Sequence, residues 1–296
     1  MKNRTFIRLM ALMMIFSFVS VSCSKDGDDD IIDLTEEQLP ANKQDAEAKI
    51  KGKWNISASG DVRSIEFIDG NAYILEVNAS FASPEARLSS RASNERGLRA
   101  ETTEASSTAN LYGKFTVSAD GQSIMLDDMA QITISGISEK SFTFTISFTD
   151  NDREQSVTAT IATAVDASNK TTLLARNWGF SAWAEFDADN KVFFESKGFK
   201  PQDQGLQFTA SGTMILRYIS FLQSSTIDPE TGQINEVITD LSLESDIYSW
   251  KWKDSQQTVI TASRNGDSFD ITIQRLTTTD LSAVLSNDMR WELSPL

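Results

Sequence analysis

The chain has 296 residues, with 42 acidic and 27 basic side chains and a formal net charge of −15. This length favours two domains of ordinary size, and this charge disfavours binding to nucleic acid or to an anionic membrane surface. The absence of histidine excludes Ser-His-Asp and Cys-His catalysis and His-ligated zinc. We therefore expect a protein that is not an enzyme and that holds no metal or cofactor. The remaining catalytic alternative is a hydrolase that works through two carboxylates, for which the sequence offers no motif.

The N-terminus has the pattern of an export signal. Basic residues precede an almost unbroken apolar run at residues 9–21, which is too short for a spanning helix and has the length of a signal-peptide core. Cys23, the single cysteine of the chain, follows directly and has no partner for a disulfide. We predict that residues 1–22 are a signal peptide and that Cys23 is lipidated. An ordinary secretory signal beside a chance cysteine is the alternative.

The residues before Cys23 resemble the lipobox of bacterial lipoproteins. Val21, Ser22 and Cys23 fit the pattern, and Ser20 stands where leucine is usual. The resemblance implies that cleavage leaves a diacylated Cys23 as the first residue of the mature chain. The resemblance therefore implies that an N-terminal lipid anchor attaches the protein to a membrane.

An acidic tether follows at residues 23–46. Its residues Lys25, Asp26, Asp28, Asp29 and Asp30 resemble the surface-export signal of Bacteroidetes lipoproteins. This resemblance implies an outer-membrane protein that is lipid-anchored and surface-exposed. The alternative is a simple solvated tether, because like charges at this density repel each other and keep a chain extended.

Residues 47–166 are predicted to form a first β domain. Residues 45–51 predict one or two helical turns before a strand at residues 52–59. Strict alternation then indicates antiparallel strands with one buried face, most clearly in Phe142, Phe144, Ile146 and Phe148. Residues 84–110 contain no aromatic side chain and are predicted to be a long mobile loop.

Residues 167–296 are predicted to form a second β domain that repeats the first. Trp178 corresponds to Trp54, and a polar insertion at residues 223–246 falls at the same place as residues 84–110. Further on, we align residues 111–112 with 247–248 and residues 115–124 with 250–259. Each unit holds seven or eight short strands, so we predict an all-β protein of up-and-down barrels or closed sandwiches.

The opening Gly52-Lys53-Trp54 and the meander after it resemble the lipocalin-like domains of Bacteroidetes lipoproteins, here in tandem. The resemblance implies two tandem antiparallel up-and-down β-barrels. In lipocalins an arginine near the last strand packs over the tryptophan of the first strand. Arg290 is the expected counterpart for Trp178.

Two groups of aromatic residues are candidates for ligand binding. Tyr248, Trp250 and Trp252 share one face of a predicted strand, and core packing is the alternative for them. Trp183 lies in residues 181–198, a stretch that the first unit lacks and that predicts either a binding rim or extra strands. Within this stretch, residues 187–190 are interpreted as a hairpin turn rather than a metal site.

The sequence leaves two functions open. The first is a binding protein for a small hydrophobic molecule or a glycan. The second is an accessory subunit of an outer-membrane complex, with an outer-membrane protein as its partner. A cavity lined by aromatic and polar groups would favour the first function, and filled barrels with an apolar outer surface would favour the second.

Overall fold

A computed structural model describes residues 36–57, 59–78, 81, 99–101, 108–149, 153–183, 188–227, 234–264, 266–286 and 289–296. The predicted signal peptide, Cys23 and the acidic residues 25–30 lie outside this part of the chain. Most of the predicted loop at residues 84–110 also lies outside it. The described residues of that loop lie in strands. Residues 108–110 pair with residues 76–78, and residues 99–101 pair with residues 110–112.

The first half of the protein is a closed antiparallel barrel of eight strands, preceded by helix α1 (Lys43–Lys49). The barrel strands are β1 (Gly52–Ile56), β2 (Val62–Ile68), β3 (Ala72–Asn78), β5 (Thr108–Val117), β6 (Ser123–Leu126), β7 (Ala130–Ile137), β8 (Ser141–Phe148) and β9 (Glu154–Ile161). The ring closes because β1 pairs with β9 and β3 pairs with β5. The short strand β4 (Arg99–Glu101) adds to the edge of β5 beside β6.

The second half is also a closed antiparallel barrel of eight strands. It begins with helix α2 (Asn169–Leu174), and its first and last strands pair to close the ring. The strands are β10 (Asn177–Phe180), β11 (Gly205–Phe208), β12 (Thr213–Ile227), β13 (Ile234–Trp252), β14 (Val259–Arg264), β15 (Asp267–Leu276), β16 (Leu281–Leu285) and β17 (Arg290–Pro295). The prediction of two tandem up-and-down barrels is therefore confirmed.

Equivalent strands of the two barrels pair in equivalent register. Trp54 lies opposite Ile65 in the first barrel, and Trp178 lies opposite Leu206 in the second. Each indole N–H donates a hydrogen bond to the carbonyl four residues earlier, at 2.7 Å for Trp54 and 3.0 Å for Trp178. Strands β7 and β15 also carry a bulge at the same place. The structure thus repeats the unit that the sequence spacings indicated.

The register corrects our alignment of the repeats by one residue at two places. Ile74 pairs with Tyr112, and its counterpart Ile215 pairs with Ile247, so Tyr112 rather than Leu111 is the equivalent of Ile247. Residue 124 is equivalent to residue 260 rather than 259, because Val117 pairs with 124 and Trp252 pairs with 260. The connection between β13 and β14 is one residue longer than that between β5 and β6, and counting residues along the chain missed this insertion.

Two other expectations are wrong in the described residues, and one further feature takes a form that the sequence left open. Residues 189–190 belong to helix α3 (Ala188–Ser196) and not to a hairpin turn. The polar insertion at residues 223–246 continues strands β12 and β13 on both sides of residues 228–233. The arginine beside Trp178 is Arg176, whose guanidinium lies 5.4 Å from the ring centroid, whereas Arg290 is exposed and donates to Gln274. Arg176 is closer because it immediately precedes β10, while Arg290 projects from the outer face of β17.

The two barrels pack against each other through the outer faces of β2 and β3 in the first and β12 and β13 in the second. Ile68, Ala72 and Ile74 form one buried apolar cluster with Ile215 and Ile247. This contact explains why β2 and β3 are buried on both faces instead of one.

Candidate functional site

The predicted aromatic face of β13 lies inside the second barrel. Trp250 is buried and donates its indole N–H to the Thr209 carbonyl at 3.0 Å. Its ring meets Trp252 edge-on at 5.6 Å, and Tyr248 packs edge-on against Phe269 at 5.3 Å. These side chains fill the barrel and contact one another. Their role in ligand binding remains a prediction.

Helix α2 covers the end of the barrel at which Trp252 lies. The Trp252 indole N–H donates to the Thr171 hydroxyl at 2.8 Å, and this hydroxyl donates to the Asp166 carboxylate at 2.6 Å. Ser168 and Gln257 also donate to Asp166. These hydrogen bonds lower the pKa of Asp166, with that from Thr171 contributing most. The Asp166 carboxylate therefore links Thr171 of α2 to Gln257, which follows β13 of the barrel.

The interior of the first barrel is filled by its own side chains as well. Trp54 meets Phe142 edge-on at 5.4 Å, and Phe67 meets Phe115 at 5.1 Å. Tyr73 is fully buried in the same core, and its burial raises the pKa of its hydroxyl. Neither barrel therefore resembles an open ligand carrier, and candidate binding surfaces must be sought outside the barrel interiors.

One such surface is a long β-ribbon, which we call the arm. It comprises residues 218–227 of β12 and 234–244 of β13, which pair with each other from Tyr218–Glu244 to Ile227–Ile234. Among the described strands, β11 pairs with β12 only up to Arg217, and β14 pairs with β13 only from Ser249 onwards. Ten strand residues span about 33 Å, so the arm extends well beyond the barrel wall.

Helix α3 is attached near the base of the arm by aromatic contacts. Phe194 is fully buried, and its ring lies 5.5 Å from Phe221 of β12 and 5.6 Å from Trp183. The Trp183 indole N–H donates to the Glu195 carboxylate at 2.8 Å. The structure therefore places Trp183 at the base of the arm. Tyr248, Trp250 and Trp252 instead lie in the interior of the second barrel. A role for Trp183 in ligand binding also remains a prediction.

The arm and α3 expose large apolar side chains to solvent. The exposed fractions are 61% for Leu222, 46% for Leu243 and 66% for Val192 of α3. The sequence of the arm has three acidic residues, Glu236, Asp240 and Glu244, and no lysine or arginine. Exposed strand edges in soluble proteins are usually protected by charge, often by lysine. The exposed Leu222 and Leu243 therefore favour contact with a partner.

A second surface is a cleft of about 340 Å³ between the barrels. Glu66 of β2 lies at its floor, is only 2% exposed, and accepts hydrogen bonds from the hydroxyls of Ser211 and Thr213, the latter at 2.6 Å. Lys53 and Arg176 line the cleft from opposite barrels. We call this region the inter-barrel cleft.

Close to this cleft, β5 of the first barrel faces β12 of the second. Burial raises the pKa of the Tyr112 hydroxyl and lowers the pKa of the Arg217 guanidinium. The charge of each group partly offsets the pKa shift of the other. Arg217 also donates to the Trp178 carbonyl at 3.4 Å. The polar groups of the interface are therefore held in a low-dielectric setting where electrostatic contacts are strengthened.

Neither surface was predicted from the sequence as a site. The described residues contain no cluster of three or more aspartate, glutamate or cysteine side chains arranged to hold a metal ion. Every helix in the described part of the chain is too short or too polar to cross a bilayer. A signal for the inter-barrel contact was present, because Ile68 and Ile74 are apolar at positions where the alternation predicts a solvent-facing side chain.

No protein-family model matches this chain, and a search of curated proteins finds no similar sequence. The function must therefore be inferred from the geometry of the barrels, the arm and the inter-barrel cleft.

Proposed function

We propose that this protein is a lipid-anchored, non-enzymatic interaction protein of the bacterial outer membrane that binds a protein partner through the arm. It corresponds to the accessory-subunit alternative of the sequence analysis. The single observation that supports it best is a two-stranded ribbon that leaves a filled barrel and exposes Leu222 and Leu243.

The filled barrels weigh against transport of a ligand inside them. A carrier of this fold needs a lumen that side chains leave open, whereas Trp250 and Trp252 pack against each other in the second barrel. Carriage of a small hydrophobic molecule or glycan would therefore depend on a surface outside the lumens.

The geometry of the arm supports a docking role. An isolated two-stranded ribbon is marginally stable in water, and helix α3 contacts it near its base through Phe194 and Phe221. A partner that covers the apolar side chains of the arm would stabilise it. Since the arm is acidic, the partner surface is expected to be basic around an apolar strip.

The test is site-specific photo-crosslinking in the cells that make the protein. A photoreactive residue at Leu222 or Leu243 is expected to crosslink to one specific protein. The matched control is Met125, an exposed apolar residue of the first barrel that is 42% exposed. A crosslink to the same protein from Met125, or none from either arm position, would contradict the proposal.

A second measurement separates binding from folding. Leu222→Ser is expected to abolish the crosslink from a photoreactive residue at position 220, which lies two residues away on the same face of β12, whereas Met125→Ser is expected to leave it intact. Both substitutions replace an exposed side chain, so their effects on the free energy of unfolding should stay within about 0.5 kcal/mol. A crosslink that survives Leu222→Ser would show that this face of the arm is not the binding surface.

A further inference from the structure

In the inter-barrel cleft the acidic side chains have hydrogen-bond or ion-pair donors, whereas two of the basic side chains have no acidic partner among the described residues. Both carboxylate oxygens of Glu66 are engaged, Oε1 by Ser211 and Oε2 by Thr213. Asp69 pairs with Lys51 at 2.8 Å, and both side chains are mostly exposed. The two acidic residues that line the cleft therefore already have donors, whereas the cations Lys53 and Arg176 have no carboxylate partner in the part of the chain that the structure describes.

Lys53 lies directly opposite Glu66 in the β1–β2 ladder. Residues that are opposite in a ladder carry their side chains on the same face, so Lys53 projects from the outer face of the barrel toward the cleft that it lines. Within the described residues its ammonium makes no hydrogen bond and no ion pair. The hydroxyls of the second barrel satisfy Glu66 in its place, which leaves the charge of Lys53 available.

Arg176 approaches the cleft from the second barrel in a fixed orientation. One guanidinium nitrogen donates to the Thr278 carbonyl at 3.1 Å, and the group lies over the Trp178 ring at 5.4 Å. A planar guanidinium that is already held in place loses little freedom when it binds an anion, and its remaining N–H groups match a carboxylate or phosphate. Arg176 is therefore prepared for an anionic group.

The rest of the cleft supplies aliphatic surface. Ile161, Ala162 and Ala175 line it together with Ile68 and Ala210. A volume of about 340 Å³ lies at the lower end of the range of small-molecule pockets. This volume suits a molecule of about ten non-hydrogen atoms and is too small for a folded partner.

We propose that the inter-barrel cleft binds a small amphipathic anion. Its carboxylate or phosphate head lies between Lys53 and Arg176, and its short aliphatic body lies against Ile161 and the alanines. The protein as a whole carries a net charge of −15, but at physiological ionic strength charges beyond about 8 Å are largely screened. Within the cleft Lys51 and Asp69 pair with each other. Lys53 and Arg176 together therefore exceed the single negative charge of Glu66 and favour an anionic ligand. This site does not depend on the arm.

The test is calorimetric titration of the mature chain, from Cys23 to Leu296 and without acyl groups, with a set of eight-carbon probes below their micellar concentrations. Octanoate or octyl phosphate is expected to bind, and octanol and octylammonium are expected to bind at least ten-fold more weakly. Comparing octanoate, octyl phosphate and inorganic phosphate separates a preference for carboxylate from one for phosphate. Equal binding of octanol and the anions, or no binding of either anion, would overturn the proposal.

Variants locate the binding site. Lys53→Gln removes one charged donor and is expected to weaken binding of the anion by about ten-fold or more. Lys251→Gln, a change at an exposed lysine of β13 outside the cleft, is expected to leave binding unchanged. Ala162→Leu is expected to reduce binding by filling the cleft. Unchanged affinity in Lys53→Gln, or an equal loss in Lys251→Gln, would refute the assignment.

Discussion

Thr213→Val probes the hydrogen bond that joins the two barrels. The Thr213 hydroxyl donates to the buried Glu66 carboxylate at 2.6 Å, and valine keeps the branched shape without the donor. Hydrogen bonds to charged groups contribute about 1.5–3 kcal/mol each, so the free energy of unfolding is expected to fall by about that amount. With a urea dependence of about 2 kcal/mol/M, the midpoint should fall by on the order of 1 M.

Tryptophan placement provides a readout for each barrel. Trp54 is the only tryptophan of residues 47–166, and the other five lie in residues 167–296. With 5-fluorotryptophan, fluorine NMR during urea titration can therefore follow the first barrel through one resonance. Since Thr213 belongs to the second barrel and Glu66 to the first, we expect Thr213→Val to lower the unfolding midpoint reported by Trp54 as well.

Two controls make this reasoning refutable. Thr143→Val removes a hydroxyl that faces Thr158 at 3.1 Å on the outer surface of the first barrel, and its effect should stay within about 0.5 kcal/mol. A double-mutant cycle of Glu66→Gln with Thr213→Val should give a non-zero coupling energy. If the Trp54 midpoint does not move, or if the two substitutions are additive, the bond does not couple the barrels.

Three further outcomes are expected. Trp54→Phe should lower the free energy of unfolding by about 1–3 kcal/mol, because it leaves the buried Ile50 carbonyl without its donor. Trp178→Phe should cost less, because the Leu174 carbonyl keeps a second hydrogen bond from the Arg176 N–H at 2.8 Å; a larger loss for Trp178→Phe than for Trp54→Phe in urea unfolding would contradict this reasoning. The pKa of Asp166 is lower in the folded protein than in the unfolded chain, so its ionised carboxylate stabilises the fold above the unfolded pKa, and this stability is lost as pH falls through the folded pKa. The difference in stability between the native protein and Asp166→Asn should therefore shrink below about pH 4. A pH-independent difference in thermal unfolding would refute this. Cys23→Ser should abolish incorporation of labelled palmitate and release the protein from the membrane fraction, and continued labelling would exclude lipidation at that residue.

The barrels could be predicted because their strands have one apolar and one polar face. Phe142, Phe144 and Ile146 alternate with polar residues, and all three are buried in the core. The predicted equivalence of Trp54 and Trp178 also agrees with the register, because each tryptophan pairs with an equivalent residue of the next strand, Ile65 or Leu206. Period-two alternation is a local property, and it therefore reports strand type without any knowledge of the partner.

The helix and the two surfaces depend on tertiary contacts that a local pattern does not contain. Helix α3 is held by Phe194 against Phe221 of a strand more than twenty residues later, and such packing overrides weak local propensity. The inter-barrel cleft exists only because Ile74 and Ile215 meet on the outsides of two barrels. The lipocalin resemblance points to the last strand, where Arg290 lies, whereas Arg176 directly precedes the first strand of its barrel.

The closure of each barrel bears on the order in which the chain can fold. Trp54 pairs with Ile161 and Trp178 with Pro295, so each ring closes between segments that are far apart in sequence, a slow step for a folding chain. The first barrel contains both of its closing strands before residue 162, and domains of a chain that emerges from its N-terminus usually fold in that order. It would then present Ile68 and Ile74 to solvent until β12 is formed. A chain that ends after residue 166 is therefore expected to fold, and to self-associate through this uncovered face.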